Sequence, residues 1–269
     1  MIESERPSAP EVKQCCAALY GSDAARFLMG DSFHPGGIEL TLELAGMLHL
    51  NADSTILDVA SGKGTSAFAV AERFGCQVVG VDLSEANVAE ANAESERQGL
   101  VSRVRFAVGD AEALPFAASS FDALLCECAF CTFPDKSTAA AEFARVLRPG
   151  GRIGMSDLTR AAVALPELDG LLAWIACIAD AQPLERYAQW LANADFHVTA
   201  SVTRDRALEQ MLEQVRGKLM LADIMVGLGK LQIPGLDVQG AKDFAAAAGQ
   251  AVKSKTLGYA FLVAELPRA

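Results

Sequence analysis

Ile56-Leu57-Asp58-Val59-Ala60-Ser61-Gly62-Lys63-Gly64-Thr65, with Val78-Val79-Gly80-Val81-Asp82 after it, decides the fold. The first stretch reads as an apolar strand running through a glycine turn into a helix. The second is another apolar strand, closing on an acid 18 residues past Gly64 (82 − 64). This is the layout of a nucleotide-binding βαβ unit, in which bare glycines let backbone approach a ligand and the later carboxylate accepts hydrogen bonds from a ribose. The spacing Gly62-x-Gly64-x-x-Ala67 also fits a dinucleotide fingerprint. Asp58 discriminates between the two. A carboxylate beside the glycine turn repels a pyrophosphate seated at the helix N-terminus and attracts a cationic ligand.

Outward from this unit, strand and helix alternate. Glu85 to Gln98 is expected to be a helix capped by Ser84. Val104–Val108, Phe121–Cys126 and Arg152–Ser156 read as further strands, with a helix over Lys136–Leu147. Such alternation predicts a parallel sheet with right-handed crossovers. Before the unit lie a polar tail, a helix over Glu11–Leu28, a turn-rich loop and a second helix over Ile38–Leu50. After it come helices over Leu168–Ala179, Leu184–Asn193, Arg206–Leu228 and Phe244–Ala251, and strands over 196–202 and Gly258–Glu265. The expected fold class is α/β: a doubly wound, mostly parallel, seven-stranded sheet with N-terminal helices and a C-terminal helical and strand cap. Three regions follow: 1–53 as tail, helices and lid, 54–160 as binding core, and 161–269 completing the sheet and covering the substrate.

The chain has 269 residues, 51% of them hydrophobic, enough for one large core. Its net charge of −11 argues against a nucleic-acid partner, which needs a basic footprint. No apolar run approaches membrane-spanning length, and the start lacks a secretion signal, so a cytoplasmic protein is expected. The seven cysteines would then be thiols.

Further motifs occur in order: Gly109-Asp110-Ala111-Glu112-Ala113-Leu114-Pro115-Phe116, Ser120-Phe121-Asp122-Ala123-Leu124-Leu125, and Arg145-Val146-Leu147-Arg148-Pro149-Gly150-Gly151. With the opening stretch they resemble the class I S-adenosylmethionine-dependent methyltransferases over about residues 54 to 158. The resemblance implies S-adenosyl-L-methionine as cofactor. Asp58 and Gly62-Gly64 would fix its methionine part, Asp82 its ribose hydroxyls and Asp110 its adenine, with Ala60, Thr65, Leu83 and Ala111 also among the cofactor-binding residues. Glu127, closing the fourth strand, would border the same crevice. Tyr20 and Gly37, from Tyr20-Gly21 and Gly36-Gly37, look like a cofactor lid.

A narrower resemblance, to arsenite methyltransferases, rests on Cys128-Ala129-Phe130-Cys131-Thr132-Phe133-Pro134-Asp135-Lys136 and on Trp174-Ile175-Ala176-Cys177. It implies a metalloid acceptor held by Cys128 and Cys177, with Cys131 nearby. Arsenic(III) attacks with its own lone pair and needs soft thiolate ligands more than a base. The match departs from that family at Cys15-Cys16, which precede Tyr20-Gly21, and in the glycine turn Ala60-Ser61-Gly62-Lys63. The alternatives are a small organic oxygen, nitrogen or sulfur acceptor with His34 or Glu127 as base, and a non-catalytic cofactor- or metalloid-binding sensor. Buried packing is the competing reading for every cysteine, most of all Cys76 and Cys126. Alternation across Glu127 is expected to put Cys126 and Cys128 on one face.

Overall fold

The apolar, β-branched runs form strands whose order in the sheet fixes where a ligand can sit. The computed structural model describes residues 34–163, 165, 168, 173, 177–227 and 237–268. The elements are α1 (Gly37–Gly46), β1 (Thr55–Val59), α2 (Thr65–Phe74), β2 (Gln77–Asp82), α3 (Glu85–Arg97), β3 (Val104–Val108) and β4 (Phe121–Glu127). A 3-10 turn (Phe130–Thr132) leads to α4 (Lys136–Val146) and β5 (Leu147–Arg160). The C-terminal part adds α5 (Leu184–Asn193), β6 (His197–Thr203), α6 (Asp205–Gly227), α7 (Val238–Lys253) and β7 (Leu257–Glu265). Tyr20, Cys15, Cys16 and the expected helix over Glu11–Leu28 lie outside the described residues, as does most of Leu168–Ala179.

One seven-stranded sheet runs in the order β3-β2-β1-β4-β5-β7-β6. The five strands from β3 to β5 are parallel, while β7 runs antiparallel to both β5 and β6. From β1 the chain winds outward to β2 and β3, then returns to β4 on the other side. That reversal opens a crevice beyond the carboxyl ends of β1 and β4, the usual ligand position in a doubly wound sheet.

Local chemistry sets the element ends. Gly64 (φ 84°) and Gly75 (φ 72°) bracket α2 in left-handed conformations. The Ser84 hydroxyl accepts the amide of Asn87 and starts α3, as expected, and Asp135 does the same for α4 through Thr138. Strand β7 is buried from Leu257 to Ala264, because neighbouring strands flank both its edges and helices pack against the sheet.

Two expectations need correction. The fifth strand extends well beyond Arg152–Ser156. Leu147 pairs with Phe121 and Arg152 with Ala123, so Arg148 to Gly151 on β5 bulge opposite the single residue Asp122 on β4. Beyond Ser156 the strand continues because β7 pairs with it as far as Arg160. Cys126 and Cys128 also do not share a face by alternation: Cys128 has φ 47°, a left-handed turn that ends the strand's period.

Candidate active site

Register builds the site. Asp58 lies opposite Gly80 on β2 and Leu125 on β4, and Asp82 and Glu127 stand two residues further along those strands. Paired residues and i+2 residues share a sheet face, so three carboxylates fan out on one face around the glycine turn. Asp58 is buried, and its Oδ2 has no hydrogen-bond partner. Burial, then Glu127, then Asp82 hold its carboxyl well above the usual carboxylate range. A buried acceptor with no donor costs free energy until a ligand supplies one. A cationic donor would also relieve the crowding of negative charge.

The glycine turn is shaped for close approach. Ala60 (φ 57°), Gly62 (φ 54°) and Gly64 (φ 84°) are all left-handed. A Cβ on Gly64 would meet Phe106 at 2.3 Å, whereas one on Gly62 would meet nothing within 4 Å. Gly64 is therefore needed for packing, and Gly62 borders open space. Ser61 Oγ beside it is a second buried atom without a partner. Asp82 is locked in place: Oδ2 accepts the amide of Gly62 at 2.8 Å and Oδ1 that of Ser84 at 2.9 Å. Asn87 Nδ2 also donates to Oδ1 at 3.4 Å, and the carboxylate keeps capacity to accept from further donors. Leu83, next along the chain, is 41% exposed, an apolar ledge at the crevice. Asp110 folds into a turn with Oδ1 accepting the Glu112 amide at 3.0 Å, beside buried Ala111. Thr65 opens α2 and Gly37 opens α1.

Glu127 is the centre of a buried polar cluster. Ser66 donates to its Oε2 at 2.7 Å, and Thr41 lies 3.1 Å from both carboxylate oxygens. His34 Nε2 stands 3.3 Å from Thr41 Oγ1 and 3.9 Å from Glu127 Oε2. Thus α1 and α2 each contribute a hydroxyl that fixes the carboxylate at the end of β4.

The thiols converge on the other flank of Glu127. Cys177 Sγ donates to the Cys128 carbonyl at 3.3 Å and interacts with the Cys131 side chain. Both Cys128 and Cys177 (φ 58°) are in strained left-handed conformations. Burial raises the Cys128 thiol first, then Asp157, Cys177 and Glu127 add to it, so it is held protonated. Burial does the same for Cys131, whose amide donates to Asp157 Oδ2 at 2.8 Å. Among the described residues, no three His, Cys, Asp or Glu side chains are spaced to hold one metal ion. Cys126 is fully buried in the core, and Cys76 donates to the Val70 carbonyl within it. Sequence reading missed Thr41, Ser66, Ser156, Asp157 and Tyr259. Ser156 Oγ and Tyr259 Oη are buried without a well-formed hydrogen bond beside Cys128. No local motif marks these five; only strand register and helix docking bring them in.

The donor set suits S-adenosylmethionine: an unpartnered buried carboxylate for its cationic end, open space at Gly62, and an oriented carboxylate at the end of β2.

Comparison with known proteins agrees. Residues 57–155 match the methyltransferase domain family. The chain is 37% identical over 118 residues to 27-O-demethylrifamycin SV methyltransferase of Amycolatopsis mediterranei, covering 44% of this chain and 43% of that protein. The chain spans about half the length of the curated relatives it matches, or less. Among solved structures, phosphoethanolamine N-methyltransferase 2 of Haemonchus contortus superposes with a TM-score of 0.79 at 21% identity, covering 96% of this chain and 60% of that one. The [4+2]-cyclase SpnF superposes at 0.77 and 23% identity, covering 98% and 97%. Residues 57–155 are therefore similar to a methyltransferase domain, and the chain shares the fold of these structures.

Proposed function

We propose that the protein transfers a methyl group from S-adenosylmethionine to a small organic acceptor. The observation that carries this reading is the buried, unpartnered Asp58 carboxylate, crowded by Glu127 and Asp82 at the glycine turn. A methyl donor with cationic nitrogen and sulfur offers the charge this pocket lacks. Asp58 holds the ammonium, Asp82 the ribose hydroxyls, Leu83 and Asp110 the adenine, and Tyr20 and Gly37 belong to the lid. The cofactor supplies an electrophilic methyl at sulfur. The protein supplies position and exclusion of water, which carry most of such a displacement. Residues 54–160 act as the binding core, 161–269 cover the acceptor, and 1–53 close over the cofactor, in a cytoplasmic enzyme.

An organic acceptor ranks ahead of arsenic for two reasons. The matched relative is named for an organic acceptor, and the thiols are held protonated by burial. Where the acceptor carries a proton, the Glu127–Thr41–His34 cluster is the base nearest to hand. A second reading keeps trivalent arsenic, supported by Cys177 touching both the Cys128 carbonyl and the Cys131 side chain. Arsenous acid would exchange its hydroxyls for thiolates, each thiol proton leaving in water.

Incubation with methyl-labelled S-adenosylmethionine, a panel of small hydroxyl, amine and thiol compounds, and arsenite tests both. Label on an organic product, retained by Cys128→Ser, supports the first. Label on arsenic, lost in Cys128→Ser and Cys177→Ser, supports the second. Tight cofactor binding with no transfer to any acceptor would make the protein a sensor.

A further inference from the structure

The crevice holds more negative charge than an amino-acid head group can neutralise. Asp58 sits at 3% exposure and the Glu127 side chain at 5%, on the same face, with Asp82 beyond the turn. Their described surroundings bring no free cation: Lys63 of the glycine turn is paired with Glu90 at 2.5 Å. Cys126, which pairs with Val59 next to Asp58, is itself pushed up by burial, then by Asp157 and Asp58. His34 faces Glu127 from the start of α1 at 3.9 Å. Thr41 and Ser66 donate to Glu127 without adding charge.

The methyl donor carries two positive charges, an ammonium and a sulfonium, against one carboxylate. Its demethylated product is a thioether and keeps only the ammonium. Both share adenine, ribose and amino-acid contacts, so a pocket that reads shape alone binds them alike. A pocket with two buried carboxylates on one face does not. A ligand can bias a site only by its differential interaction, and here that difference is one unit charge.

Resting on the proposed cofactor, we infer that Asp58 and Glu127 together form a charge-reading subsite that prefers the sulfonium donor to its thioether product and so promotes product release. Asp58 anchors the ammonium common to both, and Glu127 supplies the discrimination. At an effective dielectric typical of proteins, one charge within several ångströms is worth on the order of tenfold in affinity. A corollary concerns protons. Asp58 is disposed to hold a proton in the empty protein, because burial, Glu127 and Asp82 disfavour its charged form. Cationic ligands therefore expel a proton on binding, the donor more than the product. The preference for the donor consequently rises with pH.

Calorimetric titration of the full chain with S-adenosylmethionine and with S-adenosylhomocysteine, from pH 6 to 8.5 in buffers of different ionisation enthalpy, tests this. The expected result is on the order of tenfold tighter binding of the donor at the upper end, narrowing as pH falls, with more protons released by the donor. Glu127→Gln should bring the two affinities within about twofold while both still bind. If that variant does not fold, the wild-type pH slopes decide alone. Equal affinities with equal proton release in the wild type, or an unchanged ratio in folded Glu127→Gln, would overturn the inference and leave the cofactor assignment standing. Failure of both ligands to bind would sink the inference and the proposed function together.

Discussion

Two glycines two residues apart in the chain, yet different in role, show how much one residue decides. Gly64 is left-handed and has Phe106 within 2.3 Å of where a Cβ would be; Gly62 is left-handed with open space. Gly64→Ala should lose about 3 kcal/mol or more, from overpacking added to backbone strain. Gly62→Ala should lose about 1 to 2 kcal/mol, from strain alone. Urea unfolding separates them, and comparable losses would mean the Phe106 contact carries no weight. Asp157 gives a pH prediction. Burial raises it from 3.8 to about 6, opposed by hydrogen bonds from Cys131 and Leu158. The folded state then binds more protons than the unfolded state between these values, so stability should fall as pH rises through about 4 to 6. Asp58, also raised, pushes the same way. Chemical denaturation of the ligand-free protein across this range checks the sign. Asp58 and Asp82 were legible at this scale because a motif surrounds them. Asp157 was not, since its significance comes from its burial and from the Cys131 amide, 26 residues away, donating to it.

Helices with strong local signals came out of the sequence nearly residue for residue. Ser84 announces α3, and its hydroxyl accepts the Asn87 amide at 3.3 Å. Ser84→Ala should cost about 1 kcal/mol with an unchanged denaturant slope; no loss in the urea midpoint would mean the cap is replaced by water. Strand β5 was less legible. Its extension from Asp157 to Arg160 carries polar side chains at three of its four positions, and Pro149-Gly150-Gly151 reads as a turn. Yet Arg160 still pairs with Leu257, because the antiparallel partner supplies hydrogen bonds that parallel neighbours alone would not. Similarly, Cys128 breaks the period of β4 through one left-handed residue, a feature that alternation cannot foresee. The docking of α1 on α2 and β5 likewise brings Thr41 to Glu127.

For the whole molecule, ligand linkage is the most direct test of the site. At about 100 times its Kd, S-adenosylmethionine should stabilise the fold by about 2.7 kcal/mol. For a chain of this size that raises Tm by roughly 5 to 10 °C. NAD at the same concentration should produce no shift, since its pyrophosphate would face Asp58. A larger shift with NAD would reverse the reading of the glycine turn. The net charge of −11 remains consistent with a small-molecule ligand at the scale of the whole surface.

By itself the sequence determined the α/β class, the seven strands, the glycine turn and the two aspartates beside it. These follow from periodicity and turn chemistry, which act over a few residues and leave a local trace. Tertiary structure alone decided that Glu127 meets Thr41, Ser66 and His34, and that Cys177 meets the Cys128 carbonyl and the Cys131 side chain. Those groups are separated by tens of residues, and only strand order, register and helix docking set the distances between them.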